Sequence, residues 1–183
     1  LIVVAARTGG SDDDTSGITL FLLCADTDGI EITKTSMVDS RNSANIKFND
    51  VAVSSSDLLG EENNGAAILG EVLDRAQIAI SAEMLGNASQ AFDVTLDYLK
   101  ERKQFGSVIG TFQALQHRAA EMYSELELTK SSVIAACNAV DENSNDLKRM
   151  ASLAKYKAGE TNHLVTNEAV QMHGGVGVTD EYD

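Results

Sequence analysis

The sequence predicts an α+β protein: a partial antiparallel β-domain followed by an up-down bundle of long α-helices, the fourth helix missing or supplied elsewhere. Two observations carry that prediction. Up to about residue 53, apolar residues fall in short runs separated by turn signals; from Ala66 onward they recur with a helical period. The three helical patterns are joined by short connections, which implies antiparallel neighbours.

The strand-like third begins with LIVVAAR (1–7), a continuous apolar run, followed by the acidic turn-rich segment TGGSDDDTSG (8–17). ITLFLLCAD (18–26) suits a buried strand, TDG (27–29) a turn, and IEITKT (30–35) alternates apolar and charged residues. ANIKFNDVAV (44–53) alternates again, with Asn49-Asp50 marking a bulge or tight turn. Four such strands predict a packed antiparallel sheet or half a barrel. The first helix is expected from Ala66 to Arg102, with Ile68, Val72, Ala76, Ile80, Met84, Ala88, Phe92, Leu96 and Leu99 inward. Its 37 residues would span roughly 55 Å. A second helix, about Thr111 to Asp141, turns Phe112, Leu115, Ala119, Met122, Leu126, Val133 and Val140 inward. A third, about Asp146 to His173, carries Leu147, Met150, Leu153, Tyr156, Leu164, Val170 and Met172, and Gly174-Gly175 stop it. Three helices leave a face that a fourth helix or another subunit completes.

A net charge of −14 argues against nucleic acid or an anionic membrane as partner, since both require clustered Lys and Arg. No apolar run approaches the roughly 20 residues of a membrane helix. Cys24 and Cys137 read as buried free thiols of a reducing compartment. The chain opens on Leu1 inside a strand pattern and is expected to be a fragment of a longer protein. It contains no proline.

The chemically dense stretch is RKQFGSVIGTFQALQHRAAEM (102–122). Arg102 suits a helix C-terminus, and Gly106 and Gly110 suit punctuation; those are the plain structural readings. Yet Phe105 and Phe112 flank the glycines as anchors for the core, and Gln104 and Gln113 face a site where backbone is bare. An arginine, amides and free N–H groups at a helix start are equipped to hold a pyrophosphate. QMHGGVGVTDEY (171–182) offers the same choice between a cap and a turn that admits a ligand. Its G-G-x-G follows a helix, so a Rossmann reading fails on context. His117, His163 and His173 lack metal-ligand spacing, and Ser54–Ser56 have neither a glycine elbow nor a base.

At these residues the chain resembles the acyl-CoA dehydrogenase family. ERKQFGSVIGTFQALQHRAAEM is similar to the family signature that runs from R-K through F-G to Q. AVQMHGGVGVTDEY is similar to its second signature, Q-x-x-G-G-x-G-x-x-x-E-Y. GITLFLLCADTDGIEI and IKFNDVAVSSSDLLGEENNG resemble the second half of its middle β-domain. The resemblance implies residues 1–60 as that half-domain and 61–183 as a truncated helical-bundle domain.

It further implies FAD as cofactor. Arg102 and Gln104 then meet the pyrophosphate of a neighbouring subunit's flavin, Phe105 belongs to the same loop, and Phe112 and Gln113 lie along the adenosine. Gln171, Gly174 and Gly175 complete the site across the subunit boundary. The implied reaction is α,β-dehydrogenation of an acyl-CoA thioester, with electrons passed to an electron-transferring flavoprotein. A homo-oligomer, dimer or tetramer, is implied, in a bacterial cytoplasm or, in a eukaryote, the mitochondrial matrix.

Three departures qualify the carry-over. The usual catalytic glutamate is expected beyond Asp183, and the alternative position on the first helix is Ala76, so no base is named. The substrate motif D-x-x-R reads Asp74-Arg75-Ala76-Gln77, leaving Asp74, Arg75 and Gln77 as substrate-binding candidates. Val108 replaces a proline, which loosens the loop. Two rival readings keep the fold: a non-catalytic assembly subunit lending FAD-binding residues to an active partner, and a flavin oxidase or monooxygenase. The chain alone is expected neither to bind FAD tightly nor to turn over.

Overall fold

The computed structural model describes residues 1–39 and 41–179; the Asp180–Tyr182 end of the second signature lies outside them. Its elements are β1 (Ile2–Arg7), β2 (Ile18–Leu23), β3 (Ile30–Thr35), β4 (Ser43–Phe48), α1 (Gly65–Glu101), β5 (Lys103–Gln104), β6 (Ser107–Val108), α2 (Gln113–Asp141) and α3 (Leu147–His173). A 3-10 turn, Gly174–Val178, follows α3. The chain forms two compact units, Leu1–Glu71 and Val72–Asp183, the division falling inside α1.

In the first unit β1 pairs antiparallel with β2, Ile2 opposite Leu23 and Arg7 opposite Ile18. β3 pairs with β4 in the same sense, Ile30 opposite Phe48. The strands pair antiparallel as expected, but among the described residues the two ladders are separate two-stranded sheets rather than one packed sheet or half a barrel. β2 is the buried strand, covering Thr19, Leu20, Phe21 and Leu23, whereas β3 and β4 are largely exposed. The acidic loop after β1 is ordered by Arg7. Its guanidinium donates to the carbonyls of Gly9 (3.2 Å), Asp12 (3.2 Å), Asp14 (2.9 Å) and Ser16 (3.1 Å). That satisfies backbone acceptors that a tight loop would otherwise leave to water. Asn49-Asp50 is the expected bend: β4 ends at Phe48, and Asp50 has φ +49. Asp57 caps the segment after it, accepting from the Ser54 amide (2.7 Å) and hydroxyl (2.8 Å). The Ser54 amide above all holds its carboxyl below the usual range.

The second unit is built on two apolar clusters. One joins Ala88, Phe92 and Leu99 of α1 to Met122 and Leu126 of α2 and Val165 and Met172 of α3. The other joins Ile78 to Val133, Ala136, Ala151 and Ala154. Rising numbers along α1 thus meet falling numbers along α2 and rising numbers along α3, which is the up-down-up order expected. The α2–α3 seam is lined by small residues: Thr129, Ala136 and Ala139 face Ala151, Ala154, Ala158 and Thr161. Small side chains let the helix axes come close. Thr129 donates to Thr161 across the seam at 2.7 Å, so both buried hydroxyls are satisfied.

Three sequence expectations are corrected here. In α1, Ala88, Phe92 and Leu99 face inward as expected, but Ile78, Ser81 and Thr95 complete the buried row, while Val72 and Ala76 are exposed. In α3 the small residues turn inward, and Leu153, Tyr156 and Val170 turn out. The physical reason is that Ser and Thr buried in a helix return their hydroxyls to the carbonyl four residues back, as Ser81 and Thr95 do, and so pass for apolar. Cys24 and Cys137 are free thiols, but both are exposed rather than buried. No helix among the described residues is long and apolar enough to cross a membrane.

Candidate functional site

The α1–α2 junction is a miniature hairpin. Lys103 lies opposite Val108 and Gln104 opposite Ser107, leaving Phe105-Gly106 as a two-residue loop. Both loop residues have positive φ, +56 and +78, as a type I′ turn requires. Glycine adopts that conformation freely; for phenylalanine it costs about 1–2 kcal/mol. Phe105 is 93 % exposed, and its ring meets Phe112 edge-on with centroids 6.4 Å apart. The two phenylalanines therefore do not anchor the loop in the core as expected. The tight turn throws Phe105 outward, and Phe112, at the N-cap of α2, is its neighbour at the surface.

Around that aromatic pair sit the polar candidates. Arg102 follows α1 directly, its amide donating to the Tyr98 carbonyl (2.9 Å) and its own carbonyl accepting from Ile109 (2.9 Å). The backbone is thus fixed, while the exposed guanidinium has no hydrogen bond or ion pair among the described residues. Gln104 is exposed and returns its amide to the Lys103 carbonyl at 2.8 Å. Gln113 is the first residue of α2, exposed, where helix N–H groups lack intrahelical partners. Gly110 has a different purpose from bare backbone for a ligand: a Cβ there would stand 2.8 Å from the Leu99 carbonyl oxygen. It allows the chain to pass close to α1.

Val108, standing where the signature has proline, has φ −66. In a two-residue hairpin the Lys103–Val108 pair is the one that exchanges no ladder hydrogen bonds. Val108→Pro is therefore expected to raise stability by about 0.4–1 kcal/mol through the unfolded chain. Urea unfolding checks it; a loss would mean that the Val108 amide is bonded.

The second group lies at the end of α3. Gln171 and Gly174 line a surface depression of about 380 Å³ with Asn167, Val170 and Val178. Gly174 ends the helix at φ +64, its amide donating to the Gln171 and Val170 carbonyls. A Cβ on Gly174 or Gly175 would meet nothing within 4 Å, so the main chain there borders open space. Gly177, by contrast, is held 2.9 Å from the Val170 carbonyl oxygen by the same measure and serves packing.

These two groups are joined by a contact that sequence reasoning missed. The Tyr98 ring lies 4.4 Å from that of His173, and its hydroxyl donates to the His173 carbonyl at 3.3 Å. Tyr98 is one helical turn before Arg102, and His173 immediately precedes Gly174. The four-residue spacing of tyrosine and arginine was the available signal. His173 is buried, its Nδ1 donating to the Ala169 carbonyl at 2.7 Å. His117 and His163 are exposed, and no group of metal ligands occurs among the described residues.

The substrate candidates are not brought to this end. Asp74, Arg75 and Gln77 are half-buried near the other end of the same helix. Between Arg75 and Arg102, α1 rises about 40 Å. Any ligands they meet are therefore met at opposite ends of the bundle.

The donor set at the junction fits a dinucleotide chemically. A guanidinium unpaired among the described residues suits a diphosphate, side-chain amides and helix N–H groups add donors, and two exposed rings offer faces to a base.

The family model described as the acyl-CoA dehydrogenase C-terminal domain matches residues 63–183. The probable acyl-CoA dehydrogenase YngJ of Bacillus subtilis is 37 % identical over 184 residues, covering 99 % of this chain and 48 % of its own. Butyryl-CoA dehydrogenase from Megasphaera elsdenii superposes with TM-score 0.91 at 32 % identity, over 99 % of this chain and 48 % of that one. A structure described as the FAD complex of PigA gives TM-score 0.91 at 27 % identity, over 98 % and 47 %. The chain thus spans about half the length of the relatives it matches. With the family model covering residues 63–183 and both signatures carried within them, the chain belongs to the acyl-CoA dehydrogenase family.

Proposed function

We propose that this chain is part of an FAD-dependent acyl-CoA dehydrogenase that introduces an α,β double bond into an acyl-CoA thioester. The flavin, when bound, supplies the hydride acceptor. The chain's own residues bind and orient. Arg102 grips the diphosphate, helped by Gln104. Phe112 and Gln113 lie along the adenosine, and Phe105 belongs to the loop that carries Gln104. Gln171 and the bare backbone at Gly174 and Gly175 border the same cofactor. Asp74, Arg75 and Gln77 face the thioester's head group at the other end of α1. Since one chain presents these sets about 40 Å apart, two copies are needed to assemble one site. The exposed guanidinium of Arg102, a signature arginine with no partner among the described residues, is the observation that carries this reading.

A homo-oligomer follows from the same logic. Tyr123 and Ile134 of α2, and Leu153 and Tyr156 of α3, are 46–68 % exposed, more apolar surface than a lone bundle tolerates well. The electrons leave to an electron-transferring flavoprotein, in a bacterial cytoplasm or a mitochondrial matrix. No residue of this chain is assigned as the catalytic base: at the alternative position on α1 stands Ala76, which bears only a methyl group.

Anaerobic addition of saturated acyl-CoA thioesters of graded length to the whole protein that carries this sequence is expected to bleach its bound flavin. Reoxidation by an acceptor flavoprotein, faster than by oxygen, completes the test. Absence of bleaching with every thioester would favour the silent assembly subunit, and rapid reoxidation by oxygen would favour an oxidase.

A further inference from the structure

The Tyr98–His173 contact lies between the two halves of the proposed cofactor grip, and neither residue belongs to either half. Tyr98 is half-buried on α1, and its carbonyl accepts from the Arg102 amide at 2.9 Å. Its ring faces His173 at 4.4 Å with planes inclined by 31°. His173 in turn is locked into α3 by its bond to Ala169, and the next residue is the turn glycine, Gly174. The chain from Arg102 to Gly174 runs through the whole of α2 and α3, too long a route to set a spacing by itself. One aromatic contact closes the distance directly.

We propose that Tyr98 is a positioning residue for cofactor binding: stacked on His173, it sets the separation between the Arg102 guanidinium and the Gly174-Gly175 turn. This rests on the flavin reading above. The ring carries most of the effect, because the hydroxyl bond at 3.3 Å is long for an O–H donor. A packed aromatic pair holds a defined geometry that an aliphatic chain of similar size does not. The diphosphate sees the consequence, since a misplaced guanidinium loses its two-pronged fit before it loses its charge.

The test is a set of FAD titrations on the apo form of the whole protein that carries this sequence. Tyr98→Leu is expected to weaken FAD about tenfold with the helical circular dichroism unchanged, and Tyr98→Phe to stay within about threefold of the parent. In an Arg102→Gln background the leucine substitution is expected to cost far less, because the group it positions is gone. The phosphorus resonances of the bound diphosphate are expected to shift in Tyr98→Leu and not in Tyr98→Phe. Where the leucine variant loses helix, Tyr98→Met replaces it, filling the space with a flexible chain that has no ring. Costs that simply add in the double variant, or unchanged affinity in both Tyr98→Leu and Tyr98→Met, would overturn the proposal while leaving the flavin reading intact. Unchanged affinity in Arg102→Gln alone would remove Arg102 from the cofactor site, and this inference with it, whereas no FAD binding by the parent would sink the flavin reading itself.

Discussion

Replacing Arg102 by glutamine is expected to weaken FAD binding by roughly ten- to a hundredfold, the span for losing hydrogen bonds to a charged group. The argument is electrostatic and geometric together. The guanidinium is exposed and unpaired among the described residues, so the substitution breaks no internal contact. The folded bundle is therefore expected to melt within about 0.5 kcal/mol of the parent. All of the loss then appears in binding. Arg102→Lys separates charge from shape: it keeps the cation and forfeits the fork, and is expected to recover only part of the affinity. Titration of the apo form, read by quenching of flavin fluorescence, measures all three. A lysine variant as tight as the parent would show that charge alone suffices. A glutamine variant as tight as the parent would remove Arg102 from the site.

The second large effect concerns the bundle that carries the site. Met122→Ala is expected to cost about 2–5 kcal/mol, the range for truncating a fully buried side chain. Met122 is 0 % exposed and belongs to the cluster in which α1, α2 and α3 all meet. Its removal leaves a cavity between three rigid helices, and the junction hairpin lies at the same end as that cluster, so relaxation there is restricted. Urea unfolding followed by circular dichroism reads the change. Tyr156→Ala, by contrast, is expected to be nearly neutral in an isolated bundle, since that ring is 68 % exposed. If truncating Met122 cost under about 1 kcal/mol, the three-helix core would be looser than its packing indicates.

Much of the fold was legible in the residues. Helix ends were placed within two positions, because glycines at 174–175, the acidic-amide run after Asp141 and the change of period near 65 are local signals. The strand positions were legible for the same reason, but their association was not. Alternation at Ile30–Thr35 tells which residues share a face, whereas whether β3 pairs beyond β4 depends on chain far away. The inward faces of α1 and α3 were read in part: Ala88, Phe92, Leu99 and Met172 are buried as expected, while Val72, Ala76, Leu153, Tyr156 and Val170 are exposed. Apolar periodicity ranks leucine above alanine and threonine, yet a close helix seam selects the small residues, as Ala151, Ala154 and Ala158 show.

The candidate site divides in the same manner. Its chemistry, a guanidinium with amides and glycines in two recurring patterns, is written in residues that lie next to one another, so the linear chain determined it along with the family and the three long helices. The separation of the Asp74–Gln77 segment from Arg102 by about 40 Å follows from helix length, but that Tyr98 lies on His173, bringing the ends of α1 and α3 together, was decided only by the tertiary structure. Local patterns follow from steric and hydrogen-bonding rules acting over a few residues. Contact between helix ends depends on how whole helices pack, and that is settled by side-chain volumes contributed from all three at once.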